Sequence, residues 1–294
     1  MGTCFLWQEQ FERAADSFRE ALALVPGHQK SLYKLQIAFR RMGKSTAADH
    51  ATKLFHERRA IEESLRAAER AGARSLVDRV RLGRAYLEAG IAPQAIQEAR
   101  TVLADSPDDP NALLLLAEGF LALRPSDLEM ARRTFERLLR GHPGSAEALA
   151  GLGEVFRREG SVEPAAQRFR EALSREPEYA GARIGLARVA AAEGSFGSAA
   201  TDLEALLTRH PEDLDVIEAL AEIYTTAPPP MARPREAIQL LDRAGSLYGE
   251  GIRTRIRALA LLGDREEALR RIEESPFLGA SDREALLATA GTVK

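Results

Sequence analysis

Apolar residues recur at helical spacing along almost the whole chain, and no stretch alternates apolar and polar residues over the length of a strand. Leu149, Leu152 and Phe156, for example, lie on one side of a helix because they fall three or four residues apart. The series breaks at Gly160, where a turn is expected because glycine adopts a positive φ at little cost. The pattern therefore predicts an all-α protein made of helices joined by short turns.

The same pair of helices recurs with a period near 34 residues. The phrase FREAL occurs at 18–22 and again at 169–173. Prolines, which cannot continue a helix, follow apolar helices at intervals of 36, 34 and 34 residues, at Pro107, Pro143, Pro177 and Pro211. Five turn glycines are each followed five residues later by an alanine: Gly43 and Ala48, Gly90 and Ala95, Gly160 and Ala165, Gly194 and Ala199, Gly263 and Ala268.

This period and these residues resemble the tetratricopeptide repeat, whose pattern is W-x2-L-G-x2-Y, then A-x3-F, then P. The clearest unit is 146–179, and its matching residues are Leu149, Leu152, Gly153, Phe156, Ala165, Phe169, Ala172 and Pro177. The resemblance implies an all-α, right-handed α-solenoid of about eight helix-turn-helix repeats with a C-terminal capping helix. The pentatricopeptide repeat, an alternative helical array, is disfavoured by the acidic balance of the chain and by the recurrent proline.

The regular array is interrupted within residues 52–72, where about 13 residues are added to the repeat and the proline is missing. Helical spacing continues through Leu54, Ile61 and Leu65, so we predict one second helix extended by about 20 Å. This helix is either a solvated spacer or a coiled-coil or dimer contact; a monomer is favoured because two or three heptads make a weak seam.

The interruption suggests two parts. Residues 1–73 form an N-terminal sub-array whose first repeat is truncated and which ends in the extended helix. Residues 74–294 form the main array, and 281–290 are predicted to be the capping helix, opened by Ser281 and Asp282.

The net charge, the cysteine count and the distribution of apolar residues exclude several classes of protein. A net charge of −3 with a pI near 6.1 argues against nucleic-acid binding, which usually needs a basic face. The single cysteine, Cys4, excludes an internal disulfide and a cysteine-based zinc site. No window contains the ~18 apolar residues of a membrane helix, so we expect a soluble chain without membrane insertion. The Ala- and Arg-rich composition suggests a bacterial source, with the cytoplasm favoured and the periplasm left open as compartment.

The sequence shows no catalytic constellation. Gly43, Lys44 and Ser45 match the end of a phosphate-binding loop, but Ala38 stands where that motif needs glycine, and a helix rather than a strand precedes it. The five histidines lack the i, i+4 spacing of a metal pair on a helix. We therefore predict a protein that is not an enzyme and has no cofactor or metal.

The resemblance also implies a binding site. In tetratricopeptide proteins the first helices of successive repeats line a concave groove that holds peptides, with positions 2, 5, 9, 12 and 13 of each repeat pointing into it. The candidate groove residues are Lys30, Tyr33, Arg40, Arg41, Arg84, Leu114, Glu118, Leu121, Glu154, Arg157, Arg158, Arg188, Glu218 and Glu222. The carboxylate clamp of chaperone-binding relatives is missing, since no repeat has Lys at position 5 and Asn at position 9.

The expected function is a non-catalytic scaffold that binds a protein or peptide partner in this groove. Residues 1–73 carry a net charge of +3 and residues 211–294 a net charge of −4. We therefore expect the acidic end of the partner near Arg40, Arg41 and Arg84. The rival expectation is a recruiting or regulatory arm of a larger enzyme or assembly complex, prompted by the truncated first repeat.

Overall fold

The structure is a computed structural model of the 294-residue chain. It describes residues 1–24, 28–71, 75–123, 126–244, 249–275, 278 and 283–288. All regular secondary structure among these residues is helical, which confirms the predicted all-α tetratricopeptide-type solenoid. No described helix combines the length and the apolar character needed to cross a membrane.

Short antiparallel helices follow one another along the chain. They are α1 (Gly2–Trp7), α2 (Phe11–Leu24), α3 (Gln29–Arg41), α4 (Ser45–Ala71), α5 (Leu76–Glu88), α6 (Ala92–Asp105), α7 (Pro110–Ala122), α8 (Leu128–Gly141), α9 (Ala146–Arg158), α10 (Val162–Arg175), α11 (Ala180–Ala192), α12 (Phe196–Arg209), α13 (Leu214–Thr226), α14 (Pro234–Ala244), α15 (Gly249–Leu261) and α16 (Arg265–Glu274). Residues 283–288 are also helical.

Three irregular elements were predicted. Helix α1 has 6 residues, whereas the first helices α3, α5, α7, α9 and α11 have 13. The extended helix is α4, which has 27 residues and is therefore about 40 Å long. A C-terminal helix is found at 283–288, while its predicted cap at Ser281 and Asp282 lies outside the described residues.

The turn glycines act as the sequence predicts. All five have a positive φ: Gly43 (74°), Gly90 (72°), Gly160 (78°), Gly194 (86°) and Gly263 (77°). A residue with a Cβ would be strained there. The alanines that follow them are fully buried, with 0–1% of their surface exposed: Ala48, Ala95, Ala165, Ala199 and Ala268. Each glycine thus turns the chain, and each alanine lets the second helix of a repeat approach the first closely.

Large and small side chains interlock between successive repeats. Phe169 on α10 is buried between Gly153 on α9 and Gly185 on α11. A Cβ atom added to Gly153 would lie 2.9 Å from the Phe169 ring, and one added to Gly185 would lie 2.3 Å from it. Because real Cβ atoms do not come so close, the two glycines are needed for this packing.

The chain forms two compact units. Unit 1 comprises Met1–Glu63 and Tyr224–Lys294, and unit 2 comprises Ser64–Ile223. This grouping differs from the division into 1–73 and 74–294, which was drawn from the repeat pattern and stays a prediction about the repeats. Helices α4 and α13 each contribute residues to both units.

Unit 1 has a core that joins the two ends of the sequence. Buried side chains of α2, α3 and the first half of α4 pack with those of α15 and α16 and with Leu278 and Leu286. Arg19 on α2 is 4% exposed, and its Nε donates to the Ser275 carbonyl oxygen at 3.2 Å. The same guanidinium donates to the Glu273 carbonyl oxygen and lies 5.0 Å from the centre of the Phe39 ring. Desolvation and the nearby charge of Arg283 lower the pKa of Arg19 to about 10.

Unit 2 contains the most regular repeats. Their helix pairs are α5 with α6, α7 with α8, α9 with α10, and α11 with α12. Side-chain caps start several of the helices: Ser75 and Asp78 form a capping box on α5, and Asp109 and Ser145 accept backbone N–H groups at the start of α7 and α9.

Candidate functional site

The first helices of the repeats form one continuous surface in unit 2. Helix α5 packs against α7, α7 against α9, and α9 against α11. Among the described residues, no two second helices pack together to the same extent. The first helices therefore lie on the inner side of this array. We call their solvent-facing side the first-helix face.

One ionisable residue occurs at the ninth position of each repeat along this face, at spacings of 34, 36, 34 and 34 residues. These ninth-position residues are Arg84, Glu118, Glu154, Arg188 and Glu222. Their side chains are between 22% and 45% exposed. The structure thus brings five of the predicted groove residues into one row.

Two of the charge pairs in this row link consecutive repeats. Arg84 on α5 lies 3.7 Å from Glu118 on α7, and the Arg188 Nε on α11 donates to Glu222 on α13 at 3.1 Å. Both pairs join residues that are 34 positions apart, which is one repeat length. These four predicted groove residues are therefore paired with each other within the protein, and a charged ligand would have to compete with these pairs.

Glu154 is held within its own helix. Its carboxylate accepts from the Arg157 Nε at 2.7 Å and from the Arg158 Nε at 2.6 Å. Arg158 also donates to the Leu121 carbonyl oxygen at 2.9 Å, at the end of α7. The four residues Leu121, Glu154, Arg157 and Arg158 are thus connected across two repeats.

The two central glutamates differ in their electrostatics. Burial raises the pKa of Glu118, the charge of Arg84 lowers this pKa by a smaller amount, and the charge of Glu147 raises it further. Burial alone would also raise the pKa of Glu154, but the hydrogen bonds and charges of Arg157 and Arg158 outweigh it, so that this pKa is lowered. Of these two glutamates, Glu118 is therefore the one whose charge is less well compensated by the protein.

An open cavity of about 490 Å³ lies between the start of α7, the end of α8 and the turn before α9. Asn111, Leu114 and Glu147 line it, and all three stand at position 2 or 5 of their repeats. Leu114 is only 8% exposed, so it forms the floor of the cavity rather than an exposed apolar patch. Near the cavity, burial and then the charges of Glu118, Glu147 and Glu176 raise the pKa of Tyr179 to about 12.

The remaining groove candidates lie elsewhere. Lys30, Tyr33, Arg40 and Arg41 are exposed on α3, which belongs to unit 1. Glu218 is half-buried on α13 in unit 2.

The phosphate-loop resemblance has a structural explanation. Gly43, Lys44 and Ser45 line a cavity of about 370 Å³ in unit 1 together with Glu266 and Glu273. The Lys44 Nζ lies 3.0 Å from the Glu273 carboxylate, so the lysine already has an anionic partner. Within the described part of the chain, no group of three or more His, Cys, Asp or Glu residues is arranged to hold a metal ion.

The sequence did not reveal that the groove charges are paired. The signal was present, however: opposite charges stand at the same position of consecutive repeats, Arg84 before Glu118 and Arg188 before Glu222. Since first helices of neighbouring repeats pack side by side, residues one period apart are spatial neighbours.

Comparison with known proteins agrees with the repeat fold. Profiles of the tetratricopeptide repeat match residues 156–223 and residues 80–124 and 117–167. The chain resembles a tetratricopeptide repeat protein from Parabacteroides merdae in its crystal structure, with a TM-score of 0.56 and 17% identity over 90% of this chain and 99% of that one. It also resembles pilF of Pseudomonas aeruginosa, with a TM-score of 0.50 and 21% identity over 72% of this chain and 96% of that one. Such distant structural likeness shows the fold alone.

A short stretch is similar to a curated protein. Over 61 residues the chain is 43% identical to cellulose synthase operon protein C of Xanthomonas axonopodis pv. citri. The stretch is 21% of this chain and 4% of that protein, so the similarity covers a small part of a much longer chain.

Proposed function

We propose that this chain, which is a tetratricopeptide repeat protein, is an interaction scaffold that binds a protein or peptide partner along the first-helix face of unit 2. Repeats of this family support protein–protein interaction in general, and their fold is generally non-catalytic. The observation that carries the proposal is the 490 Å³ cavity between the start of α7, the end of α8 and the start of α9, because Asn111, Leu114 and Glu147 of the first helices α7 and α9 contribute to its lining.

The paired charges would set the register of the partner. A carboxylate of the partner that approaches Arg188 must compete with Glu222, and a cation must compete with Arg188 for Glu222. Such exchanges add little affinity, since half-exposed pairs are worth about 0.2–1 kcal/mol. They penalise a partner bound one repeat out of register, because like charges would then meet.

A charge swap tests this proposal without breaking the internal pair. The partner is first captured from a lysate of the source organism on the immobilised full chain and identified by mass spectrometry. In the double variant Arg188→Glu with Glu222→Arg, the ion pair is kept in reversed order. We expect its affinity for the captured partner to fall at least tenfold at low salt.

The matched control swaps an exposed pair on a second helix, Glu129→Arg with Arg133→Glu on α8, where the native atoms are 2.6 Å apart. This variant should bind the partner as the native chain does. Equal affinity of both swapped variants would place the binding site away from the first-helix face.

The alternative function is a recruiting or regulatory arm of a larger enzyme or assembly complex. The similarity to a stretch that forms 4% of cellulose synthase operon protein C favours it, because such a stretch is a small part of a much longer protein. Capture experiments distinguish the two: the arm would co-purify in a fixed ratio with the subunits of one complex, and a free scaffold would exchange partners.

A further inference from the structure

Helix α3 in unit 1 carries charge of one sign. Its sequence QKSLYKLQIAFRR contains four basic residues and no acidic one. Leu32, Leu35, Ala38 and Phe39 are buried in the core of unit 1. Positive charge is therefore concentrated on the opposite side of the helix.

Three of the cations on that side form no ion pair with any residue that the structure describes. Lys34 donates to the Thr3 hydroxyl at 2.6 Å, but within the described part of the chain Lys30, Arg40 and Arg41 form no ion pair. This contrasts with the first-helix face of unit 2, where the ninth-position residues are paired. An unpaired group of like charges lowers its energy when an anionic partner binds.

An aromatic side chain lies between these cations. Tyr33 is 51% exposed, and its ring is 5.9 Å from that of Phe55 on α4. Phe55 in turn lies 5.4 Å from the His56 ring. Exposed tyrosine supported by a second ring is typical of contact surfaces, because it offers a large apolar area with a polar tip.

The spacing defines the length of ligand that fits. Lys30 and Arg41 are eleven positions apart, which corresponds to about 16 Å along a helix. An extended peptide covers that distance with about five residues. Tyr33 lies inside this span, closer to Lys30.

We propose that this surface of α3, formed by Lys30, Tyr33, Arg40 and Arg41 with Phe55, binds an acidic segment of a protein partner. Carboxylates of the segment pair with Lys30 at one end and with Arg40 and Arg41 at the other, and an apolar or aromatic side chain between them packs on Tyr33 and Phe55. The inference rests on the proposed scaffold function, since it names the chemistry of one partner segment and adds a second contact surface.

A peptide is favoured over a nucleic acid by the small size and mixed character of the surface. Nucleic-acid sites need many phosphate contacts and usually a basic domain, whereas this chain carries a net charge of −3. The surface offers three unpaired cations around an apolar centre, which suits a few carboxylates flanking one apolar side chain.

Selection from a random peptide library displayed on phage tests the inference with the full chain. Peptides are retained if they bind the native chain but not the variant Arg40→Glu with Arg41→Glu. We expect the retained peptides to carry Asp or Glu on both sides of an apolar or aromatic residue. Weak binding of synthetic copies to the reversed variant is imposed by the selection, so the test is Tyr33→Ala, which the selection does not use and to which the copies should bind several-fold more weakly.

Controls separate charge recognition from damage to the fold. Arg133→Glu with Arg140→Glu reverses two exposed arginines of α8 and should leave peptide binding unchanged. The milder variant Arg40→Gln with Arg41→Gln should weaken binding by an intermediate factor, with the circular dichroism of the native chain.

Three results would overturn the inference: no peptide passes the selection, the retained peptides lack carboxylates, or a single-stranded RNA or an anionic vesicle binds the same residues more tightly than any peptide. The charge swap at Arg188 and Glu222 reports on the scaffold proposal separately, because those residues lie in unit 2.

Discussion

The phrase FREAL occurs twice, and the structure gives its arginine two different environments. Arg19 on α2 is 4% exposed, whereas the side chain of Arg170, at the same position of α10, is 60% exposed. The difference arises because residues 273–275 cover Arg19 and accept its hydrogen bonds. We predict that Arg19→Met destabilises unit 1 and that Arg170→Met, the matched control, changes little.

The magnitude follows from two opposing effects. Removing the guanidinium leaves the carbonyl oxygens of Glu273 and Ser275 without a donor, at about 1–3 kcal/mol each. Removing the buried charge stabilises the folded state by about 3 kcal/mol. This figure follows because the pKa of Arg19 is lowered from 12.5 to about 10 and one pKa unit corresponds to about 1.4 kcal/mol. Loss of the cation–π contact with Phe39 adds about 1 kcal/mol. Together these effects amount to about 0–4 kcal/mol of destabilisation, with a midpoint of about 2 kcal/mol.

Native-state hydrogen exchange measures this locally. A change of about 2 kcal/mol in opening free energy corresponds to about thirtyfold faster exchange. In Arg19→Met, this acceleration should appear in amides of α2 and α16 and be missing from α10. In Arg170→Met, whose exposed partner Glu163 is 3.4 Å away, we expect less than a twofold change. Unchanged exchange in α16 of Arg19→Met would refute the reasoning, because α16 would then not depend on the arginine.

Two further pairs of variants test the packing and the electrostatics of unit 2. Gly185→Ala should lower the denaturant midpoint, because its Cβ would lie 2.3 Å from the Phe169 ring and overpacking costs about 1–3 kcal/mol. Gly197→Ala, also in a helix but with nothing within 4 Å, should raise the midpoint, because alanine in place of a helical glycine increases the free energy of unfolding by up to about 1 kcal/mol. The pKa of Glu118 is raised in the folded chain, so its contribution to stability is lost as the pH rises above its pKa in the unfolded chain. Glu118→Gln should therefore gain stability relative to the native chain with rising pH. The pKa of Glu154 is lowered in the folded chain, so its contribution to stability is present above its pKa in the unfolded chain and is lost as the pH falls. Glu154→Gln should therefore be less stable than the native chain at neutral pH, and this difference in stability should shrink as the pH falls. Denaturant midpoints over a pH series check both signs, and a parallel response of the two variants would contradict the assignment.

The sequence predicts the repeats well because their determinants are local. A turn within one repeat requires the positive φ of Gly90 and Gly160. A close contact between the two helices of one repeat requires the burial of Ala95 and Ala165. These requirements recur at every period, so the pattern is visible without a structure.

The contacts of Arg19 could not be predicted in this way. Its acceptors are 254 and 256 residues away in sequence, and the local phrase is the same as that around exposed Arg170. The pairing of Arg84 with Glu118 is an intermediate case: it depends on packing between repeats, yet the separation of one period makes it recognisable once the period is known.

Photo-crosslinking tests the central claim most directly. A photoreactive phenylalanine analogue replaces Leu121, which is half-buried on the first helix α7, or Gln167, which is exposed on the second helix α10. The account predicts that the partner captured on the native chain crosslinks from position 121 and not from position 167. Crosslinking from position 167 alone would contradict the assignment of the first-helix face as the binding surface.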